Sequence, residues 1–272
     1  MFLVFGWIET ILVFRPPVRY HWPMKKAFLE EIFASVQGEG PWAGQRHIFV
    51  RFIGCDLRCG YCDTPHALPK EEVTSRTCGA QVSPASFERE QVVNPVTSDI
   101  LSALCERLRL RGPARPVVSL TGGEPLLHVA FLREWLPRVR DTFQVFLETN
   151  GIHHAAMGEI ASLVDLVSMD IKLPSATGQP ARWDDHRKFL DAAGKAAIAV
   201  KTVITRDTTG DDLMIAVRLT AGYNRSVPFI IQPASGSLAP AGDVLIRMQN
   251  AALAVLEDVR VIPQMHKVLG IP

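Results

Sequence analysis

The chain has 272 residues and is 47% apolar, ample for a buried core, which excludes disorder as its main state. Its 29 Lys and Arg against 28 Asp and Glu leave a formal charge of +1, so there is no overall electrostatic footprint for nucleic acid or an anionic membrane, although a local basic pocket stays compatible. Five cysteines, an odd number crowded near one point, fit a reducing, cytoplasmic setting with metal or redox chemistry better than a disulfide framework.

In chain order, the opening stretch MFLVFGWIETILVF is apolar but short for a membrane span and carries Glu9. It lacks a positive n-region and a small-residue cleavage site, so it does not read as a secretory signal. After RPPVRYHWP comes Met24-Lys25-Lys26, which reads as a natural start. Residues 1–23 are expected to be an extension outside the fold, with a peripheral anchor as the alternative, and residues 24–272 a single domain.

From Met24 on, β-branched apolar runs alternate with amphipathic stretches, the pattern of βα units around a parallel sheet. Strands are predicted at 47–53, 116–120, 143–148, 163–171, 196–204, 227–232 and 259–263. Helices are predicted at 97–111, 128–140, 155–163, 184–194, 210–221 and 241–257. Asp99 and Asp211 or Asp212 stand where an anion suits a helix N-terminus. About six such repeats exceed a small sandwich and fall short of the eight of a closed barrel, which leaves an incomplete (βα) barrel with helices outside or an open doubly wound α/β sheet. Residues 65–96 hold four prolines and no sustained period, and read as a long variable loop or insertion.

The unusual polar residues fall just after strand ends. The cysteines follow 47–53, TGGEP follows 116–120, ETNG closes 143–148, DIK closes 163–171 and QPAS follows 227–232. In parallel α/β folds active sites are built on that rim.

The stretch GCDLRCGYCDT spaces Cys55, Cys59 and Cys62 as C-x3-C-x2-C. Zinc bound by the three thiolates and a histidine such as His66 is one reading, but structural zinc ligands usually come as two separated knuckles and no second one follows. A disulfide would leave one thiol over. The other reading is a [4Fe-4S] cluster, in which three thiolates leave one iron with an open position for a substrate.

C-x3-C-x2-C after the first strand of a βα repeat resembles the radical S-adenosylmethionine (SAM) enzymes. The resemblance implies that the open iron chelates SAM and that an electron from the cluster cleaves it to methionine and a 5'-deoxyadenosyl radical. Thr121–Pro125, TGGEP, is similar to that family's GGEP motif, with glycines for close backbone approach and Glu124 as a partner for the amino group of SAM. Glu148 in ETNG, and MDIK at 169–172, look like the strand-end signatures that face the adenosyl ribose.

SVQGEGPWAGQRHIFVRFIGCDLRCGYCDT narrows the resemblance to the 7-carboxy-7-deazaguanine synthases of queuosine and deazapurine biosynthesis, over residues 27–272 apart from 65–96. Members of that family are lyases that convert 6-carboxy-5,6,7,8-tetrahydropterin to 7-carboxy-7-deazaguanine with loss of ammonia, through hydrogen abstraction at pterin C6, ring rearrangement and return of hydrogen. The resemblance implies pterin contacts from Val36, Gln37, Gly38 and Glu39, with Glu39 accepting from the 2-amino and N3-H edge. Read alone, QGEG is only a polar turn. Arg51 matches an arginine for the substrate carboxylate, a role suited to its planar fork, and a structural ion pair inside its apolar strand would equally need a partner. Thr121, His266 and the terminal Pro272 match further substrate contacts.

For SAM, the resemblance implies Tyr61, Cys62, Asp63, Gly123, Asp170, Ile171, Lys172, Gln232, Pro233, Ala234 and Ser235, the last two through backbone only. Thr64 matches a threonine that ligates Mg2+ together with substrate oxygens, as a hard oxygen donor should. No residue takes a catalytic part beyond the cluster and SAM. A flavodoxin- or ferredoxin-type electron donor and a homodimer are implied, and no nucleic-acid or membrane partner. Cys78 and Cys105 have no place in the pattern; Cys105 reads as core. A glycyl-radical activating enzyme, for which Glu39, Arg51 and the ending HKVLGIP have no purpose, and a zinc-binding non-enzyme are the alternatives.

Overall fold

Alternation of apolar and polar residues along parallel strands decides which side of the sheet each residue takes, and in this chain it sorts oil to one face and chemistry to the other. A computed structural model describes residues 26–62 and 77–272. The expectations for the 1–23 extension and for Asp63, Thr64 and His66 lie outside the described residues.

The strands are β1 (Lys26–Ala27), β2 (Leu29–Val36), β3 (Arg46–Phe52), β4 (Thr77–Gln81), β5 (Arg89–Val93), β6 (Val96–Thr97), β7 (Val117–Gly122), β8 (Gln144–Thr149), β9 (Leu166–Asp170), β10 (Ala197–Ile204), β11 (Phe229–Pro233) and β12 (Val259–Val261). The helices are α1 (Ser98–Leu108), α2 (Val129–Val139), α3 (His154–Ile160), α4 (Pro174–Thr177), α5 (Trp183–Ala192), α6 (Gly210–Tyr223), α7 (Gly242–Leu253) and α8 (Met265–Leu269). Ten strands form one open sheet in the order β12-β11-β10-β9-β8-β7-β3-β2-β4-β5. The seven strands read from sequence are its contiguous parallel part, β3 with β7 to β12. The architecture is the incomplete barrel, with one parallel strand more than the six expected.

One face of the sheet carries Val50, Val118, Leu120, Val145, Leu147, Val167, Val200 and Ile231, all buried in a single cluster with Leu104 of α1, Trp135 of α2 and Val217 of α6. Pairing then aligns the opposite face. Arg51 pairs with Thr121, Glu148 with Ser168, Asp170 with Lys201, and Val203 with Gln232. At the lower end of that polar face Trp42 packs edge-on against Phe146, ring centroids 5.0 Å apart, beside Val117 and Leu166.

Threonines cap the helix starts, and the aspartates stand at the helix N-termini as expected. Thr97 accepts from the Ile100 amide and Thr209 from the Asp212 amide, which leaves Asp99, Asp211 and Asp212 in the first turns, where charge still favours the helix dipole. Cys105 is core as read, and Cys78, on β4, is fully buried in the same cluster. Among the described residues no helix is long and apolar enough to cross a membrane.

The long-loop reading of 65–96 needs correction in its described part, from residue 77 on. Residues 77–81 and 89–93 form an antiparallel hairpin whose first strand runs parallel to β2, and Val96–Thr97 pairs with β1. Neither TCGAQ nor REQVV alternates clearly; both are strands because β2 offers an open edge, and tertiary pairing overrides weak local preference. Arg89 fastens the hairpin by an ion pair to Glu31 of β2. β2 itself escaped sequence reading because Glu30-Glu31 interrupts its pattern, and its register with β3 shifts there by a bulge.

Buried Asn94 closes this corner by accepting from the Leu29 amide at 3.1 Å and donating to the Leu29 carbonyl at 2.7 Å. Asn94→Ala should therefore cost roughly 2–4 kcal/mol, two buried backbone groups losing their partner. Urea unfolding of the two proteins measures this, and an unchanged midpoint would contradict the role.

Candidate active site

The cysteine segment is held against the sheet by backbone. Past β3 the chain runs through Ile53 and Gly54 into Cys55, and the end of β7 crosses it, with the Gly123 amide donating to Phe52 O at 2.9 Å and the Glu124 amide to Gly54 O at 2.8 Å. A Cβ on Gly123 would stand 2.1 Å from Gly54 O, and one on Gly122, where φ is +123°, 2.2 Å from Phe52 O. The paired glycines of TGGEP are there because two backbones touch.

Glu124 has a different place from the one expected. It is fully buried, does not line the cavity, and accepts from the Leu126 amide, the Thr149 hydroxyl and the Asn150 amide at 2.8–3.0 Å. Burial raises its carboxyl above the ordinary range, and these donors oppose the rise. It ties the end of β7 to the end of β8. Asn150 in turn donates to Asp56 Oδ1 at 3.2 Å, and His153 Nε2 lies 3.2 Å from Asp56 Oδ2. Burial works against the His153 charge, but the hydrogen bond to Asp56 and the charge of Glu124 hold its imidazole above the usual pKa. The loop between the first two cysteines is thus anchored to β8.

A cavity of about 420 Å³ opens on this rim and brings together Cys55, Cys59 and Cys62 with Glu39, Tyr61, Thr121, Gly123, Glu148, Asp170, Lys172 and the run Gln232, Pro233, Ala234 and Ser235. Among the described residues no three His, Cys, Asp or Glu side chains converge on a point fit for a single metal ion. The three thiols nonetheless share the cavity, an arrangement that suits a multi-iron cluster with its irons at separate corners. Burial pushes the Cys55 thiol up to about 12 and raises Cys59, so binding iron there must release protons. Two buried acceptors on cavity-lining residues, Asp170 Oδ1 and Gln232 Oε1, have no hydrogen-bond partner among the described residues. Buried acceptors of that kind call for a ligand donor, and ribose hydroxyls or an amino group supply one. The residues present fit a cluster and SAM.

The cavity wall is a chain of charges. Lys172 Nζ lies 2.8 Å from Asp170 Oδ2 and 3.3 Å from the Tyr61 hydroxyl. Lys201 Nζ lies 3.4 Å from the same Asp170 oxygen and is paired with Glu39. Burial opposes both lysine charges, yet Asp170 for Lys172 and Glu39 for Lys201 raise their pKa values above the ordinary. Gln264 Nε2 donates to Glu39 Oε1 at 2.8 Å. Glu148 accepts from Gln37 Nε2 and from the Thr121 hydroxyl, each at 2.6 Å, and burial and then the charge of Glu39 raise its carboxyl.

Other expected residues stand back from the cavity. Gln37 acts through Glu148, and Val36 and Ile171 are not on the lining. Gly38 is a packing site, since its carbonyl accepts from the Met265 amide at 2.8 Å and a Cβ would fall 2.3 Å from His266 Nδ1. That contact brings α8 to the rim, with Gln264 and Lys267 on the lining instead of His266, and Pro272 exposed. Arg51 pairs with Glu31 at 2.8 Å and lies 5.8 Å over the Phe33 ring; it too is off the lining. Asn150 lines the cavity as part of the ETNG signature, whereas sequence reading missed Ser168, Lys201 and Gln264. Of these three only Lys201, a lone charge in AAIAVKTVI, left a signal.

Residues 49–210 match the family model described as the Radical SAM superfamily. A protein of Geobacter sulfurreducens named 7-carboxy-7-deazaguanine synthase is 41% identical over 252 residues, covering 90% of this chain and 97% of that one. One of the same name from Methanopyrus kandleri is 35% identical over 244 residues, covering 88% and 92%. The crystal structure of QueE from Escherichia coli shares the fold with a TM-score of 0.53 at 20% identity, covering 90% of this chain and 96% of that one.

Gly123→Ala forces apart backbones that cannot yield as a side chain can, at a cost of roughly 3 kcal/mol or more. The variant should keep its far-ultraviolet spectrum and lose most of its iron after reconstitution; full iron content would show that the crossing does not position the cysteines. Glu148 should also leave a pH signature. Its folded pKa is raised above the ordinary 4.5, so in that window the folded state binds more protons than the unfolded, and stability falls as pH rises through it. Glu148→Gln removes this titration, so the variant should gain stability relative to the parent with rising pH in urea unfolding of the cluster-free protein. A difference independent of pH would refute the shift.

Proposed function

The chain belongs to the 7-carboxy-7-deazaguanine synthase family of the radical SAM superfamily, and from that premise we propose that it is the lyase that converts 6-carboxy-5,6,7,8-tetrahydropterin to 7-carboxy-7-deazaguanine with release of ammonia. Membership carries with it a [4Fe-4S] cluster, SAM, a small-molecule substrate and an outside source of electrons. When bound, cluster and cofactor supply an organic radical able to abstract hydrogen from carbon.

What supports the reading in this chain is one cavity with three thiols and a glutamate held by a lysine and an amide, on a rim shared by six strands. Cys55, Cys59 and Cys62 would hold three irons. Asp170 Oδ1 and Gln232 Oε1, buried and without a hydrogen-bond partner among the described residues, would take donors of SAM, and the backbone of Gly123, Ala234 and Ser235 would lie along it. Glu39 would accept from the guanine-like edge of the pterin, with Thr121 and Glu148 beside it. Such a wall orients the ring and excludes water from the reacting carbon, which is how binding becomes rate. Mg2+ held by Thr64 and substrate oxygens, a flavodoxin- or ferredoxin-type donor and a homodimer complete the proposal on family resemblance alone, and a cytoplasmic setting and a non-core 1–23 extension on the sequence reading. Arg51 would reach a substrate carboxylate only by leaving Glu31, and Pro272 only if its exposed end folds inward.

Anaerobic incubation of the cluster-loaded protein with the pterin, SAM, Mg2+ and a reductant should yield a deazaguanine chromophore and one ammonia per turnover. Cys59→Ala should be colourless and inactive, and chelating Mg2+ should slow the parent. A brown, SAM-binding protein that leaves the pterin unchanged would overturn the substrate while sparing the superfamily chemistry.

A further inference from the structure

A single lysine interrupts the apolar run of β10, and its side chain is only 12% exposed. An ammonium has three N–H donors in a compact head. At Lys201 two of them meet carboxylates, Glu39 Oε2 and, at 3.4 Å, Asp170 Oδ2, and the residue lines the cavity. Glu39 is gripped from its other oxygen by Gln264, so its carboxylate plane is fixed from both sides.

The guanine-like edge of a pterin presents, in order, a 2-amino donor, an N3-H donor and a 4-oxo acceptor. A carboxylate that receives the first two has one oxygen beside N3-H, and the next atom along that edge is the 4-oxo oxygen. A cation bound to the flank of such a carboxylate supplies the donor that the edge still lacks. Resting on the pterin reading above, we propose that Lys201 directs its third N–H to the 4-oxo group, so that Glu39 and Lys201 together read three adjacent groups and Lys201 determines specificity for a 4-oxo ring. The bland alternative is that Lys201 only neutralises Glu39 and Asp170, in which case every pterin would suffer equally from its loss.

The two readings separate in binding, without turnover. The probes are 6-carboxypterin and its 4-thioxo counterpart, which keeps the 2-amino and N3-H donors and replaces oxygen by a weak acceptor. Each is titrated by fluorescence into the full-length, cluster-containing, SAM-loaded enzyme with no reductant. The parent should prefer the oxo ring by roughly 10-fold or more, the worth of a hydrogen bond from a charged donor. Lys201→Met should bring the preference close to unity, and Lys201→Arg, still a donor, should retain most of it. In isotope-edited infrared spectra of bound 6-carboxypterin the C4=O stretch should rise in Lys201→Met. A Lys201→Met protein that keeps the parent's preference, or that loses both ligands alike beyond measurement, overturns the proposal. Should that variant fail to fold, Lys201→Leu, which also has no donor, is read by the same ratio. A parent that binds neither probe would instead defeat the pterin reading itself.

Discussion

Glu39, Lys201, Asp170 and Lys172 make a row of alternating charge across the cavity, each touching the next, and the site is organised around it. Enclosing ions is costly, and mutual attraction offsets the cost only when every member keeps its partner. Here the sum is neutral and each cation faces at least one carboxylate. Removal of Asp170 leaves Lys172 without its carboxylate, and removal of Lys201 takes a buried cation from Glu39, which is the expensive case. The row therefore resists rearrangement and accepts only ligands that keep it balanced, such as a zwitterionic amino acid at one end and a neutral ring with a polar edge at the other.

That row exists because of register. Asp170 and Lys201 are direct partners in adjacent parallel strands, and Glu148 and Ser168 are partners one strand over. A slip of one residue would put lysine and aspartate among Trp135, Leu147 and Val217, which the hydrophobic face forbids. Packing on one side of the sheet thus fixes electrostatics on the other, and the glycine crossing at Gly123 and Gly54 sets the thiols at the end of the row.

The parallel core was legible because its strands are short, mostly apolar runs rich in β-branched residues and bounded by punctuation. β2, β4 and β5 were not: Glu30-Glu31 breaks the pattern of β2, and the weakly patterned hairpin of β4 and β5 takes its place by pairing with β2, far from it along the chain. Within the site, the motif residues were visible as unusual polar letters at strand ends, but letters do not say which way a side chain turns. Glu124 looked like a ligand contact and is a brace between two strands, while Gln37 acts through Glu148. Lys201 was visible as an anomaly and went unread because its partners, Glu39 and Asp170, come from other strands or turns.

Arg51 raises the sharper physical question. A guanidinium inside an apolar strand requires a partner, and Glu31 across the β2–β3 pair supplies it, with Phe33 beneath the fork and Arg89 on the carboxylate's second oxygen. Two arginines on one glutamate leave a surplus of positive charge on the polar face, next to the strand partner Thr121 that lines the cavity. An incoming carboxylate would find that surplus without either arginine being left unpaired, because Glu31 could stay with Arg89 while Arg51 turned to the ligand. The bidentate fork makes such an exchange possible where a lysine's point charge would not hold geometry. The same ion pair that keeps Arg51 from being a buried orphan in the free protein is thus compatible with its service to an anionic substrate, and the edge hairpin carrying Arg89 becomes part of how the site tolerates that change.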